Sequence, residues 1–460
     1  MIILFNSLSF LTLITLNSFS FSFHVGHRAV CNKQKVCNGN LMCAYICEPG
    51  SVIVDNWAKQ SLLYQQYLQL DDELIINEIP GTHNSAISEA YGYGIEKYFI
   101  SALGNGLDED QGDDVGVGVC QYLSLIDQLN MGVRHIEVDI WWGPKQDDYN
   151  GDMVVCHSPV PLYPLGKVNR AAEAANLTLE YDPKKMSCIG TKRMFVDVLT
   201  EIRDWMLREE NLNEIVVIYI DTKIFIPNTK QVTKGTQDIW DVFGDMVWSV
   251  SIDGSPLHQT RRQLLQKGKR VIFENMKDIW LQLEDGVQPV VLAPVMWDAH
   301  QFDDNELQEY PNCTIEGDTN WYGNTMVRAL SEFGITEAAT RCGVNIVSPD
   351  YINPDDMKMF VWSWDQMEPK SLDECVAMLP SGRWGTLDCS TQLPYACLAD
   401  GTSSTWVVDL NVLGDWKGSN APCPTGSSPA VPHNGYTNTL LNVASFGQTI
   451  WLNTSPSIPK

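Results

Sequence analysis

Short apolar runs alternate with amphipathic stretches from about residue 70 to 350. LIINEI (74–79), VRHIEVDI (133–140), MVVC (153–156), IVVIYI (215–220), RVIF (270–273), VVLA (290–293) and VNIV (344–347) read as strands. Between them, YLSLIDQLNMG sets Tyr122, Leu125, Ile126 and Leu129 on one helical face. MFVDVLTEIRDWML does the same with Phe195, Val198, Leu199, Ile202 and Trp205. Strands alternating with helices predict a parallel sheet. This many units over about 280 residues predicts an α/β fold of TIM type, a (β/α) barrel, irregular in places. After about 355 the texture changes. Helical periodicity ends and Trp, Cys, Gly and Pro become frequent, predicting a small, mostly β region stapled by disulfides.

Polar groups sit where the apolar runs stop. His83 and Asn84 follow LIINEI in PGTHNS, Glu137 and Asp139 lie in GVRHIEVDIWWGP, His157 follows MVVC, and Asp221 follows IVVIYI. In a parallel barrel all strands end at one mouth, so such residues converge there. Glu137 and Asp139 are two apart and share one face of a strand. Three carboxylates and the Asn84 amide oxygen suit a hard cation, Ca²⁺ with Mg²⁺ as the alternative. No Cys/His cluster accompanies them, which disfavours zinc. Two imidazoles suit proton transfer near neutral pH. Taken singly, an H-N pair is a turn or cap, an E-x-D pair is a surface feature, and CHSP proves nothing. Their order, their strand-end placement and their agreement on one chemistry point to phosphodiester cleavage. His135 is expected deeper on the strand face of Glu137 as a structural residue, and Arg134 on the opposite face, towards the helices.

The 460 residues, 44% hydrophobic, suffice for one large core and one or two small modules. A net charge of -26 argues against nucleic acid and against simple adsorption to anionic membranes. Residues 1–23 are apolar and Ser-rich and read as a signal peptide, with an uncleaved anchor as the alternative. Thirteen cysteines fit an oxidising compartment, as do the N-x-[ST] sites at Asn176, Asn312 and Asn453, so a secreted glycoprotein is expected. The odd count leaves at least one thiol outside an intrachain disulfide, and Cys156 is a candidate. In residues 24–70, Cys31, Cys37, Cys43 and Cys47 are expected in local disulfides rather than in a zinc site with His24 and His27. GNGLDEDQGDDVGVG, up to Gly118, reads as a solvated loop over the mouth.

These motifs resemble the catalytic X region of phosphatidylinositol-specific phospholipase C over roughly residues 72–280. PGTHNS is similar to the first histidine motif. GVRHIEVDIWWGP with VVCHSP resembles the second-strand carboxylates and second histidine, NEIVVIYIDTK the later acidic strand, and GKRVIFENMKD the next strand. Asp139 stands where the calcium-independent bacterial enzymes have arginine, which implies the metal-dependent branch. The resemblance implies His83 as general base or transition-state stabiliser and His157 as acid for the leaving alcohol. It implies Asn84, Glu137, Asp139 and Asp221 as metal ligands, with Glu137 helping to deprotonate the attacking hydroxyl.

There are departures from the intracellular eukaryotic members. Their Y half is missing, and in place of phosphate-binding lysines the chain offers Glu274 and Asn275, with Lys269, Arg270 and Lys277 nearby. Lys223 and Lys277 are the candidates for a substrate phosphate. The architecture is closer to secreted phospholipase C-like phosphodiesterases, acting on phosphatidylinositol or a related glycerophosphodiester at a transiently contacted membrane surface. The alternatives are a secreted binding or adhesion protein with a retired barrel, or an enzyme for another headgroup, sphingomyelin or a glycosyl-phosphatidylinositol anchor.

Residues 360–398 resemble the closing half of a C-type lectin-like domain through Trp362, Trp364, Glu368-Pro369, Cys375, Trp384, Cys389 and Cys397. That likeness implies a Cys375–Cys389 bridge and an upstream partner for Cys397. Lys370 and Gly385-Thr386 replace the asparagines of the sugar-binding version, so a packing module is expected. The chain divides as 71–355 barrel, 356–400 lectin-like segment and 401–460 β appendage or loose tail.

Overall fold

A computed structural model describes residues 22–24, 29–37, 43–95, 119–142, 153–155, 193–221, 229–275, 293–294, 298–301, 325–330 and 333–457. At the N-terminus, β1 (Ser22–His24), β2 (Lys33–Cys37) and β3 (Cys43–Cys47) form a small sheet in the order β1-β3-β2. The disulfides Cys31–Cys47 and Cys37–Cys43 hold it, the local pairing expected of a segment too small to bury its own core.

The central sheet contains β4 (Ile79–Thr82), β5 (His135–Trp142), β7 (Val216–Asp221), β8 (Val271–Asn275), β9 (Ala293–Pro294), β10 (Asp298–Gln301), β11 (Thr325–Leu330) and β12 (Ile346–Pro349). Every recorded pairing among these eight is parallel, and β12 pairs with β4, so the last strand adjoins the first. Among the described residues no ladder joins β9 to β10. Helices connect the strands, as in a TIM-like α/β fold. Phe195–Met206 buries Phe195, Val198, Leu199, Ile202 and Trp205 as their spacing predicts, against Ile136, Val138, Ile218 and Ile220 of the sheet. Each such side chain contributes about 1.5–3 kcal/mol by leaving water. The helix Leu125–Met131 likewise buries Leu125 and Leu129, with Ile126 and Tyr122 partly covered.

The other face of the sheet is stratified. At the strand beginnings Ile79, Val217, Ile272 and Ile346 pack with Leu74, Trp248 and Leu264 into an apolar plug. Beyond it, in register order, come His135, then Glu137 with Tyr219 and Glu274, then Asp139 opposite Asp221, all buried, with Ser348 beside His135. Gly81 is required at this level, because a Cβ there would lie 2.2 Å from Ser348 Oγ and 3.2 Å from His135.

Two strand expectations need correction. LIINEI is not a strand: Leu74–Ile76 is a short 3-10 turn and the strand begins at Ile79. The Asn77 amide donates to the Glu73 carbonyl at 2.8 Å and turns the chain, while Leu74 goes into the plug. Met153–Val155 (β6) is a strand, but it runs antiparallel to β5, with Ile140 opposite Val155. It therefore extends the end of β5 and does not add a ninth parallel strand.

In the C-terminal region, β13 (Cys375–Met378), β14 (Trp384–Leu387) and β18 (Ile450–Trp451) form one antiparallel sheet. A second joins β15 (Cys397–Ala399), β16 (Trp406–Val407) and β17 (Ser427–Pro429). Residues after 400 thus pair with strands before it. Cys375–Cys389 is present. Cys397, however, bonds downstream to Cys423, because β15 pairs with β17 and that ladder carries the chain back beside it from Cys423. Among the described residues no helix is long and apolar enough to cross a membrane.

Candidate active site

Asn84, Glu137, Asp139 and Asp221 come from three neighbouring strands. β5 lies between β4 and β7, and Asp139 is directly opposite Asp221 in the β5–β7 register. Asn84 follows β4 with a φ of 45°, a left-handed conformation that asparagine tolerates better than most residues. The turn is sewn to β5 by Ser85. Its Oγ accepts the Glu137 N–H at 2.8 Å, just where the β4–β5 ladder ends, and donates to the Thr82 carbonyl at 2.7 Å. Gln128, from the helix below, holds the same turn by donating to the Ser85 carbonyl at 3.0 Å, and its Oε1 lies 2.7 Å from Thr82 Oγ1. The Asn84 N–H donates to Glu137 Oε2 at 3.3 Å.

One oxygen each from Glu137, Asp139 and Asp221 lie within 4.8 Å of one another, on side chains no more than 5% exposed. Carboxylates so close repel unless a cation lies among them or they share a proton. The donor set, all oxygen and anionic, fits a hard divalent ion. The Asn84 Nδ2 donates to Cys120 Sγ at 3.0 Å, which commits the donor end of the amide.

His83 lies beside this cluster. Its Nδ1 is 2.8 Å from Asp350 Oδ1, and its carbonyl accepts from Gln121 Nε2 at 2.9 Å. Burial opposes a charged His83 and is the strongest single influence. The Asp350 hydrogen bond and the charges of Glu137, Asp350 and Asp139 together outweigh it and raise the group above its ordinary range. Cys120 completes a second cluster with His83 and Asp350. Burial pushes its thiol well up, and the Asp350 charge adds to the rise.

His157, Lys223, Lys277, Cys156 and the acidic loop up to Gly118 lie outside the described residues. Lys269 and Arg270 do not belong to the site. They precede β8, at the opposite end of the sheet, where Lys269 donates to the Val247 carbonyl and Arg270 to those of Met206 and Asn211. Glu274 is 3.3 Å from His135 Nε2, and Ser348 Oγ is 3.4 Å from the other ring nitrogen. Both flank His135 in the interior. Arg134 faces the helices, over the Trp205 ring and 2.8 Å from Glu214.

Sequence reasoning missed Asp350, Cys120 and Ser85. Asp350 had a signal, since it ends the run VNIVSPD as Asp221 ends IVVIYID. Cys120 had none, because it joins the site through the fold of the 119–121 segment beside residues 83–87.

No protein-family model matches the chain. Two sequences from Mycobacterium tuberculosis strains CDC 1551 / Oshkosh and ATCC 25618 / H37Rv, both described as uncharacterized proteins, are each 21% identical. In both cases the match covers 85% of this chain and 78% of theirs. Among solved structures, the phosphatidylinositol-specific phospholipase C of Listeria monocytogenes is similar with a TM-score of 0.38 and 13% identity, covering 66% of this chain and 98% of that one. The S. aureus enzyme of the same description, as a double mutant, scores 0.36 at 11% identity over 67% and 98%. A glycerophosphoryl diester phosphodiesterase from Silicibacter pomeroyi scores 0.27 at 10% identity over 65% and 97%.

Proposed function

We propose that the chain is a secreted, metal-dependent phosphoric diester hydrolase of phospholipase C type, built on a closed (β/α) barrel. Its substrate is phosphatidylinositol or a related glycerophosphodiester presented at a membrane surface. The observation that carries this reading is the buried convergence of Glu137, Asp139 and Asp221, with Asn84 and the His83–Asp350 pair beside it. Bound there, Ca²⁺ or Mg²⁺ would offset charge on the phosphate and acidify the attacking hydroxyl. Asn84, Glu137, Asp139 and Asp221 would hold it. His83 takes the nucleophile's proton at the ring nitrogen opposite Asp350, or stabilises the transition-state charge, while Asp350 orients the ring. Glu137 assists in removing that proton. His157 gives a proton to the leaving alcohol, and Lys223 and Lys277 contact the phosphate or headgroup.

The test is the purified full chain assayed on a panel of phosphatidylinositol, glycerophosphodiesters, sphingomyelin and a glycosyl-phosphatidylinositol, with and without EGTA. Cleavage that stops with EGTA, and that falls about 100-fold or more in His83→Ala and in His157→Ala with folding intact, is expected. Undiminished turnover in either variant removes that histidine from the mechanism. Inactivity on every substrate overturns the proposal.

A further inference from the structure

Beside the all-oxygen cluster lies a second cluster of different chemistry. His83, Cys120 and Asp350 each bring one ligand atom to within 4.8 Å of the others, and Cys120 carries no disulfide. The three come from separate parts of the chain. His83 follows β4, Asp350 follows β12, and Cys120 is tied to both strand ends: its N–H donates to the Ile87 carbonyl and its carbonyl accepts from the Tyr351 N–H at 2.7 Å. The neighbouring Gln121 side chain donates to the carbonyls of His83 and Pro349 at 2.9 and 3.1 Å. The framework around the three groups is therefore built by buried hydrogen bonds.

We propose that His83, Cys120 and Asp350 form a regulatory site for a borderline-soft divalent cation, Zn²⁺, distinct from the hard-cation position. Imidazole, thiolate and carboxylate are the ordinary protein ligands of zinc. Around a tetrahedral ion such atoms lie about 3.3–3.6 Å apart, so the His83–Asp350 pair opens from 2.8 Å by about half an ångström and the contacts to Cys120 close by no more than about 1.5 Å. Three protein ligands leave a fourth position for water. Binding releases the Cys120 thiol proton to solvent, shifts the His83 Nδ1 proton to Nε2 and replaces the His83–Asp350 hydrogen bond with two bonds to the ion. His83 then has no orienting acid and carries the metal's charge, so it can no longer accept a proton. The Glu137, Asp139 and Asp221 oxygens are hard donors and keep their preference for Ca²⁺ or Mg²⁺. An extracellular rise in zinc would thus stop the proposed enzyme without displacing its own cation.

Co²⁺ is the probe, because sulfur-to-cobalt charge transfer reports thiolate ligation without any turnover. With excess Ca²⁺ present, one equivalent of Co²⁺ should give this band in the native full chain. Zn²⁺ should displace it, and it should be absent in Cys120→Ser and weakened in Asp350→Asn. In the native protein, Zn²⁺ should also slow iodoacetamide labelling of Cys120 at least tenfold. No band in the native protein, the same band in Cys120→Ser, or unprotected labelling overturns the site. None of these depends on the proposed hydrolase activity. The inhibitory consequence does rest on it: half-inhibition by Zn²⁺ should need at least tenfold more metal in Cys120→Ser, and equal sensitivity overturns that role.

Discussion

His83 is held by Asp350 through one ring nitrogen and by Gln121 through its carbonyl, so ring and backbone are fixed by different partners. An imidazole that exchanges protons needs its tautomer fixed, and a carboxylate on Nδ1 does this by keeping that nitrogen protonated. Asp350 is therefore a positioning residue in the proposed mechanism. Asp350→Asn should lower kcat about 10- to 100-fold while KM moves less than about threefold, since substrate contacts are untouched. Steady-state kinetics on the active lipid, with thermal unfolding as the folding control, measure both. A rise in KM with kcat preserved would assign Asp350 to binding instead. Asn84 is shared in the same way: its backbone N–H goes to Glu137, its side-chain Nδ2 to Cys120 and, in the proposed mechanism, its side-chain oxygen to the ion.

At the level of elements, the two ends of the sheet do opposite work. The strand ends carry the anionic cluster. The strand beginnings carry a cationic one: Arg134 before β5, Arg270 before β8 and Arg261 in the helix Arg261–Gln266, gathered around Glu214 before β7. Burial pushes the Glu214 carboxyl up, but the three guanidiniums outweigh it and hold it down to about 2. With the folded value below the unfolded one, the stabilisation is present in full above the unfolded value near 4.5 and is lost as pH falls towards about 2. The shift corresponds to on the order of 3 kcal/mol. Glu214→Gln should therefore lower stability at pH 7 by about 3–5 kcal/mol, because it strands buried guanidiniums. Urea unfolding of both proteins from pH 7 to 2.5 measures this, and the gap between them should narrow only below about pH 4.5. A gap constant across that window would mean that Glu214 is not held by its charge.

On the scale of the whole molecule, the C-terminal region is locked to the helix Asn56–Leu68. Tyr64 meets the edges of Trp364 and Trp384, and Gln65 bonds the Phe360 carbonyl and the Trp362 N–H. Trp362, Trp364 and Trp384, the tryptophans of the lectin-like likeness, are all buried in that seam. Glu368 is equally committed. Its Oε2 accepts from the Lys370 and Thr386 N–H groups at 3.0 and 3.1 Å, and its Oε1 is 2.8 Å from the Lys370 ammonium. A lysine charge thus sits on the carboxylate of Glu368, leaving it paired within the protein. The protein should pass through immobilised mannose and galactose in Ca²⁺ without retention; retention released by EDTA would contradict this.

The amino-acid order by itself determined the alternation of strands and helices and the buried stripe of Phe195–Met206. It also placed acids and amides at strand ends, because period and residue type are local properties that any backbone of that period displays. It also implied the Cys375–Cys389 bridge. Only the tertiary structure decided what depends on which strands adjoin. It started β4 at Ile79, reversed β6 and joined Cys397 to Cys423. Most consequentially, it set β12 beside β4, because parallel pairing brings together segments hundreds of residues apart. That one adjacency carries Asp350 to His83 and Cys120 to both, and no spacing along the chain encodes it.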